Sequence, residues 1–415
     1  MWNAERVHKT KVITALTALV FTGVTPLTLA SGTPKTGAVC IKANQVVASN
    51  GYTFQCVKMG KSLVWSKGTK VKLPTPTAKP VPSPTAKPVP SPITPTSFED
   101  LYANRSGIAY AAWKSINSAK GGSPVQLPPI ETYTGPNTNP QGPSPTVALQ
   151  FIANLFPKAI FPKKIVVISY SFTDLEWGLS ESKQLMGENE YQNVITTHGG
   201  PLIKCNQANN CDDGDSYIAH DGTDFIVQGL PNTPSDFPGS PSTYGGIVAV
   251  EFYHSLTLMP YFQNGTVVTN TNHINSPNFN PVWYYVGGEG ICPLAFHTLE
   301  KEQEFAKVFA SRNFFNQVFG TVTKETFDNY LNISNLNNLW SNNSFQTFMQ
   351  HVSMGNEIDE IFIALKGPQV LIDLATLMSQ GNSFTDAFQI EFGTSWQLAE
   401  PVLAQVMYDK YLHNY

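Results

Sequence analysis

Short apolar runs separated by turn residues characterise the stretch between residues 40 and 70. Val46 and Val47 precede an Asn-Gly pair, which two-residue hairpin turns favour, and Tyr52-Thr-Phe54 follows it. A second hairpin is predicted from residues 54–57 and 63–65, across a Met-Gly-Lys turn. The pattern predicts a small β module over residues 31–72, which is too short to be stabilised by a hydrophobic core alone.

Longer apolar segments follow residue 98. The spacing of their apolar residues is typical of strands in the first part of this region and of helices in the second. Three of them, at residues 165–170, 195–198 and 225–228, are predicted to be strands, and the Gly/Pro/Asn-rich stretch 120–145 is predicted to be a loop. Strands first and helices later favour an α+β domain over residues 98–415, mixed α/β in its first part and mainly helical in its second. Helices are predicted at residues 98–119, 147–156, 174–185, 299–318, 324–334, 344–354, 357–378, 383–391 and 395–413.

The remaining segments indicate export. Residues 1–30 combine a basic start, an apolar stretch and the small-x-small ending Thr28-Leu-Ala30, which predicts a cleaved secretory signal peptide; the alternative is an uncleaved membrane anchor. Residues 73–97 contain Thr-Ala-Lys-Pro-Val-Pro-Ser-Pro twice, and such a Pro-rich tract acts as a semi-rigid linker. We expect a secreted, cell-wall-associated protein with no membrane-spanning segment after signal cleavage.

Charge is divided unevenly between these segments. The 415-residue chain has a formal net charge of −4, which argues against nucleic acid as a partner. Residues 31–72 contain seven lysines and no acidic residue, whereas residues 98–415 contain 14 basic and 29 acidic residues, a net charge of −15. The basic module is predicted to bind anionic cell-wall polymer. The alternative is a solvated spacer whose lysines only maintain solubility.

The five cysteines fit an oxidising compartment. Cys40 and Cys56 are close in sequence, as are Cys205 and Cys211, so these two local disulfides are the simplest prediction. Cys292 is then left unpaired and is expected to be buried. The acidic residues that follow Cys211 do not have the spacing of a calcium-binding EF-hand loop, and an acidic loop held by a disulfide is predicted there.

One apolar helical run carries two polar residues that share a face. Glu251 and His254 are three positions apart in the run 247–256, so their side chains lie together on a helix. The string differs by one residue from His-Glu-x-x-His, in which two histidines bind zinc and the glutamate is the general base. Val250 stands at the first histidine position. A buried, hydrogen-bonded Glu–His pair on a core helix is the alternative interpretation.

Two further motifs follow in a characteristic order. Residues 281–290 contain Pro281-Val-Trp283 and then Gly287-Gly-Glu-Gly, and residues 381–396 contain Gly-x-Ser-x-x-x-Ala-Phe with a later Phe-Gly-x-Ser. This set resembles secreted bacterial zinc metallopeptidases of the gluzincin type, which are related in fold to thermolysin. The resemblance covers roughly residues 150–410. It implies a gluzincin-like domain.

The resemblance assigns roles position by position. Glu251 matches the general base and His254 matches the second histidine ligand. Val250 and Val286 stand at degenerate ligand positions, although a shift of three residues would let Glu289 supply the carboxylate ligand. Tyr253, His220, His273 and His297 are candidates for a replacement ligand.

These assignments imply a domain that has lost its metal site, holds no cofactor and binds peptide or protein in the former cleft. The first alternative is an active zinc peptidase with an altered ligand set. The second is a structural surface protein.

Overall fold

The computed structural model describes residues 35–40, 42–49, 52–70, 91–140, 142–198, 211, 213–231, 246–265, 281, 283–288, 296, 305, 318–332 and 345–413. The chain divides into two compact units, and the boundary in the sequence lies between residues 90 and 91. The predicted signal peptide and most of the linker lie outside the described residues. In the described part of the chain, no single helix is long and apolar enough to cross a membrane. One sharply bent pair of helices, Met349–Lys366 and Val370–Ser379, reaches that length and apolar composition together.

The first unit is a four-stranded antiparallel sheet. Its strands are β1 (Val46–Ser49), β2 (Tyr52–Met59), β3 (Ser62–Trp65) and β4 (Thr69–Lys70), and β2 pairs with the other three. Both predicted hairpins are confirmed, because Ser49 pairs with Tyr52 and Met59 pairs with Ser62. The predicted Cys40–Cys56 disulfide is also present, and these cysteines pack with Trp65 in a small core. A disulfide closing a loop of this length typically contributes about 3 kcal/mol.

A mixed four-stranded sheet forms the centre of the second unit. Its strands are β5 (Ile130–Thr134), β6 (Lys164–Ser171), β7 (Asp213–Ile218) and β8 (Thr223–Leu230), in the order β5-β6-β8-β7. Strands β5, β6 and β8 are parallel, and β7 is antiparallel to β8. Strands β6 and β8 confirm two predicted strands. Strand β5 was predicted to be loop, and β7 to be part of an acidic loop.

Helices cover both faces of this sheet. On one face, Ile165, Val167 and Ile226 pack with α5 (Gly246–Gln263), and α2 (Pro145–Leu155) and α1 (Ile108–Lys120) extend the same core. On the other face, Val166 and Val227 pack with α3 (Leu175–Met186) and α4 (Glu188–His198). The predicted strand at residues 195–198 is wrong, since these residues end α4. Their β-branched side chains do not outweigh the helix that begins at Glu188.

The remaining described helices are α6 (Lys324–Leu331), α7 (Phe345–Lys366), α8 (Val370–Ser379), α9 (Phe384–Phe392) and α10 (Trp396–His413). The predicted α+β class is therefore confirmed. Several helix boundaries were wrong. The helix predicted at residues 98–119 begins only at Ile108. Helix α7 continues through residues 355–356, where a break was predicted, and it ends before Gly367, whose positive φ of 85° is followed by a proline that cannot continue the helix. Most of the predicted helix 299–318 lies outside the described residues.

Two glycines let the helical segment 283–288 pack directly on α7. A Cβ atom added to Gly355 would lie 2.0 Å from the carbonyl oxygen of Trp283 and 2.5 Å from the Cα of Gly287. Both obstacles are backbone atoms, which cannot move aside as a flexible side chain can. A side chain at position 355 would therefore force the two segments apart, and Trp283 with them.

We expect Gly355→Ala to lower the free energy of unfolding by about 2 kcal/mol or more, because overpacking outweighs the roughly 1 kcal/mol of helix propensity that alanine gains over glycine. Gly121→Ala is the matched control, since its new Cβ would make only ordinary contacts, at 3.6 Å and beyond. Urea unfolding followed by tryptophan fluorescence measures both changes. Equal effects of the two substitutions would show that the contact between segment 283–288 and α7 leaves room for a side chain.

Candidate functional site

Helix α5 is buried on nearly all sides. Of its 18 residues only Val250, Phe262 and Gln263 are not buried, because α5 packs against β7, β8, α2 and α8. An apolar sequence without an amphipathic stripe favours such a central position. Any polar side chain on this helix is therefore removed from solvent, and it must be bonded or neutralised there.

Glu251 and His254 lie together on α5, as their spacing predicts. Their relative exposures are 7% and 8%, and His254 Nδ1 lies 3.6 Å from Glu251 Oε2. The Glu251 side chain extends over strand β7, where a Cβ on Gly214 would approach both its Cγ and its Oε1 to 3.2 Å. A glycine in this strand thus leaves the space that the carboxyl group occupies.

The helical segment 283–288, which contains the second motif of the resemblance, packs directly against this pair. The Tyr285 ring stacks on the His254 imidazole, with centroids 4.6 Å apart and planes 15° apart. Gly288 lies against Tyr253, since a Cβ there would be 2.0 Å from the tyrosine ring. Val286 is buried and Val250 is half-buried.

A third polar group, which the sequence analysis missed, lies under α5. Ser255 Oγ donates a hydrogen bond to Asp224 Oδ1 at 2.8 Å, and both side chains are fully buried. Asp224 belongs to β8 and faces α5 together with Gln228, whose Nε2 donates to Ser169 Oγ at 2.6 Å. The sequence pattern that could have identified these groups is a pair of polar residues four positions apart in an otherwise apolar strand, because such residues share one face of the sheet.

The interior position changes the acidity of Asp224. Burial, reinforced by the negative charge of Glu251, raises the pKa of Asp224 to about 8, although the hydrogen bond from Ser255 lowers it. At neutral pH this carboxyl group is therefore mainly protonated in the folded protein. The sheet beneath α5 consequently carries an acid that can hold a proton.

Within the described part of the chain, the residues around Glu251 and His254 fall short of a catalytic zinc site. Such a site uses three protein ligands and an open position for water. Here the two valines have no donor atom, and within the described ranges no three His, Cys, Asp or Glu side chains converge as a metal-binding group. Glu289, His273 and His297 lie outside the described residues.

The prediction that His220 could replace a lost ligand is wrong. It lies in the turn between β7 and β8, at the end of the hairpin away from Gly214 and Glu251. Its Nδ1 is 2.6 Å from Glu190 Oε1 on α4, so it is paired elsewhere.

The predicted Cys205–Cys211 disulfide falls partly outside the described residues. Cys211 is buried and disulfide-bonded, whereas Cys205 and Cys292 are not among the described residues. The residues after Cys211 form strand β7 rather than an acidic loop, because Gly214 and Ser216 pair with β8.

A separate buried charge cluster links α7 to α10. Lys410 Nζ lies 2.6 Å from Glu357 Oε2 and also contacts Glu360. Burial raises the pKa of Glu357 to about 7, against the lowering influence of Lys410. Asp359 is fully buried beside Gly287, and burial raises its pKa well above the ordinary value. None of these charged groups was predicted as a site residue from the sequence.

Comparison with known proteins yields no relative: no family model, curated protein or solved structure matches the chain. The interpretation of the site therefore depends on its own residues.

Asp224 generates a pH prediction. Its folded pKa is raised, so the folded chain holds a proton that the unfolded chain loses above about pH 4, and this contribution to stability is lost as pH rises towards 8. Asn mimics the protonated acid. We therefore expect the stability advantage of Asp224→Asn over wild type to grow between pH 5 and pH 8, by up to about 1.4 kcal/mol per pH unit.

Thermal unfolding across this pH range measures the effect. Asp221→Asn, which removes an exposed carboxylate three positions earlier, is the control for the loss of one charge. A constant difference between Asp224→Asn and wild type would contradict the raised pKa.

Proposed function

We propose that the large unit is a non-catalytic relative of gluzincin-type metallopeptidases and binds peptide or protein segments. The observation that carries this proposal is the pairing of α5 with segment 283–288. These elements bring Glu251, His254 and Tyr285 together, yet valines stand at the two ligand positions that the resemblance assigns.

The chemistry of the pair favours binding over catalysis. A general base in this family acts on a metal-bound water, and a carboxylate without the metal has no activated water to deprotonate. The His254 ring is held by Tyr285 on one face, which fixes its orientation. A histidine, a carboxylate and an aromatic ring are groups that recognise the polar backbone and side chains of a peptide.

The same proposal includes export and anchoring. Six lysines of the β module are exposed, at positions 35, 42, 58, 61, 67 and 70, and residues 31–72 contain no acid that could pair with them. A uniformly positive unit attracts polyanions, and salt screens that attraction. We propose that the module tethers the protein to anionic cell-wall polymer.

One observation favours a structural surface protein instead. Glu251 and His254 are more than nine-tenths buried, as expected for polar groups that only stabilise a core helix. In that case their contacts contribute to folding and no ligand approaches them. An active zinc peptidase remains a second alternative, and it requires Glu289 and a further histidine as ligands.

Zinc content separates the peptidase from the other two functions. We expect the mature protein to bind zinc well below one equivalent, because the described donors fall short of three. Val250→His with Val286→Glu should bind about one equivalent, and adding His254→Ala should abolish this gain. Metal analysis after dialysis against zinc provides the measurement. Stoichiometric zinc in wild type, lost in His254→Ala, would support the active enzyme.

Peptide retention separates the binding module from the structural protein. We expect the immobilised mature protein to retain members of a random nonapeptide library, and Tyr285→Ala to reduce retention at least fivefold because it removes the ring beside His254. Leu398→Ala, at an exposed position on α10, is the control. No retention by the folded wild-type protein would favour the structural function. Mass spectrometry of the eluate identifies the retained peptides.

A further inference from the structure

The two faces of the β module differ in chemistry. One face carries Cys56, Trp65 and Phe54 and forms the disulfide-bonded core with Cys40. Side chains alternate between faces along each strand, so the intervening residues lie on the other face. This second face carries aliphatic side chains that remain accessible: Val39 is 77% exposed, Val46 47% and Met59 68%.

The aliphatic side chains form one continuous patch. Val39 bridges to Val64, Val64 pairs with Val57, and Met59 lies two residues further along the same strand as Val57. Val46 completes the set on the adjacent strand β1, where it pairs with Gln55. We call Val39, Val46, Val57, Met59 and Val64 the outer aliphatic patch. Scattered exposed valines need no explanation, but a contiguous patch indicates a contact surface.

No charged residue lies on this face of the described strands. Lys58 and Lys70 lie on the core side, since they share their strand faces with Cys56 and Tyr52 respectively. Lys61 and Lys67 lie in the turns after β2 and β3, and Lys42 lies in the turn before β1. Lysines therefore lie in the turns at the ends of the strands, and the face between them carries no charge.

We propose that the outer aliphatic patch docks on an anionic lipid bilayer, with the turn lysines contacting the lipid headgroups. A polyanion such as a wall polymer matches the lysines but offers nothing for the valines and Met59. A second copy of the module would bring two strongly positive units together. An anionic bilayer supplies negative charge and an apolar phase in one surface.

The geometry separates the lysines into two groups. Those in the turns beside the patch lie at the level of the headgroups when the patch contacts the bilayer. Lys58 and Lys70 point away across the thickness of the module, about 10 Å, which is comparable to the Debye length in physiological salt. The turn lysines should therefore contribute more to binding than the two on the core side.

Vesicle binding by the mature chain, residues 31–415, tests the proposal. The probe is a phosphatidylglycerol vesicle, with phosphatidylcholine vesicles as the uncharged comparison, and flotation measures the bound fraction. Val39→Thr, Val46→Thr and Met59→Gln combined should weaken binding to phosphatidylglycerol at least tenfold. Threonine keeps the β-branched shape, so the strands are preserved. Lys61→Gln should weaken binding about fivefold and the matched Lys58→Gln less than twofold.

A parallel arm with purified anionic wall polymer separates this inference from the proposed polymer tether, on which it does not rest. The patch variant should keep its polymer binding while losing vesicle binding. Polymer binding without vesicle binding by wild type, or vesicle binding unchanged in the patch variant, would overturn the lipid proposal and leave the tether standing. If the wild-type protein binds vesicles but not the polymer, only the proposed tether to cell-wall polymer is refuted. Circular dichroism, together with peptide mapping of the Cys40–Cys56 disulfide, confirms that each variant is folded.

Discussion

The burial of α5 is the constraint on which the large unit depends. A helix that is apolar on every side has no stable position at a surface, so sheet, helices and segment 283–288 must enclose it. The enclosure explains the glycines that contact it, because Gly214 and Gly288 leave room for Glu251 and the Tyr253 ring. It also explains why the polar groups of α5 meet partners from distant parts of the sequence.

Those polar groups form a layer between helix and sheet. Glu251 lies over β7, Ser255 donates a hydrogen bond to Asp224 on β8, and His254, beside Glu251, stacks on Tyr285. A buried polar group costs stability unless it is bonded, and a buried charge costs more. The raised pKa of Asp224 reduces that cost, because the protonated form carries no charge. The layer is thus compatible with a ligand-binding role or with a purely structural one, and zinc and peptide measurements distinguish the proposed functions.

The sequence predicted those elements that local chemistry determines. The Asn-Gly pair fixed a hairpin, and continuous apolar runs identified β6 and β8. Strand β5 was missed because Ile-Glu-Thr-Tyr-Thr has few apolar residues and lies among prolines at the sheet edge, and β7 because its polar Asp-Gly-Asp-Ser start is typical of a loop. Glu251 and His254 were found from helical spacing. Asp224 and the Lys410 cluster were not, because their partners are distant in sequence and no local pattern records them.

The last helix joins both ends of the large unit. Asp409 of α10 pairs with Arg105 and accepts a hydrogen bond from Tyr102, while Lys410 lies between two carboxylates of α7. Until α10 has been synthesised, Glu357 and Glu360 lack their counter-charge, and Tyr102 and Arg105 lack the carboxylate of Asp409. The nascent chain therefore cannot complete its core before its C-terminal residues are available. For a protein exported as proposed, this delay keeps the chain in the unfolded form that a narrow translocation channel accepts.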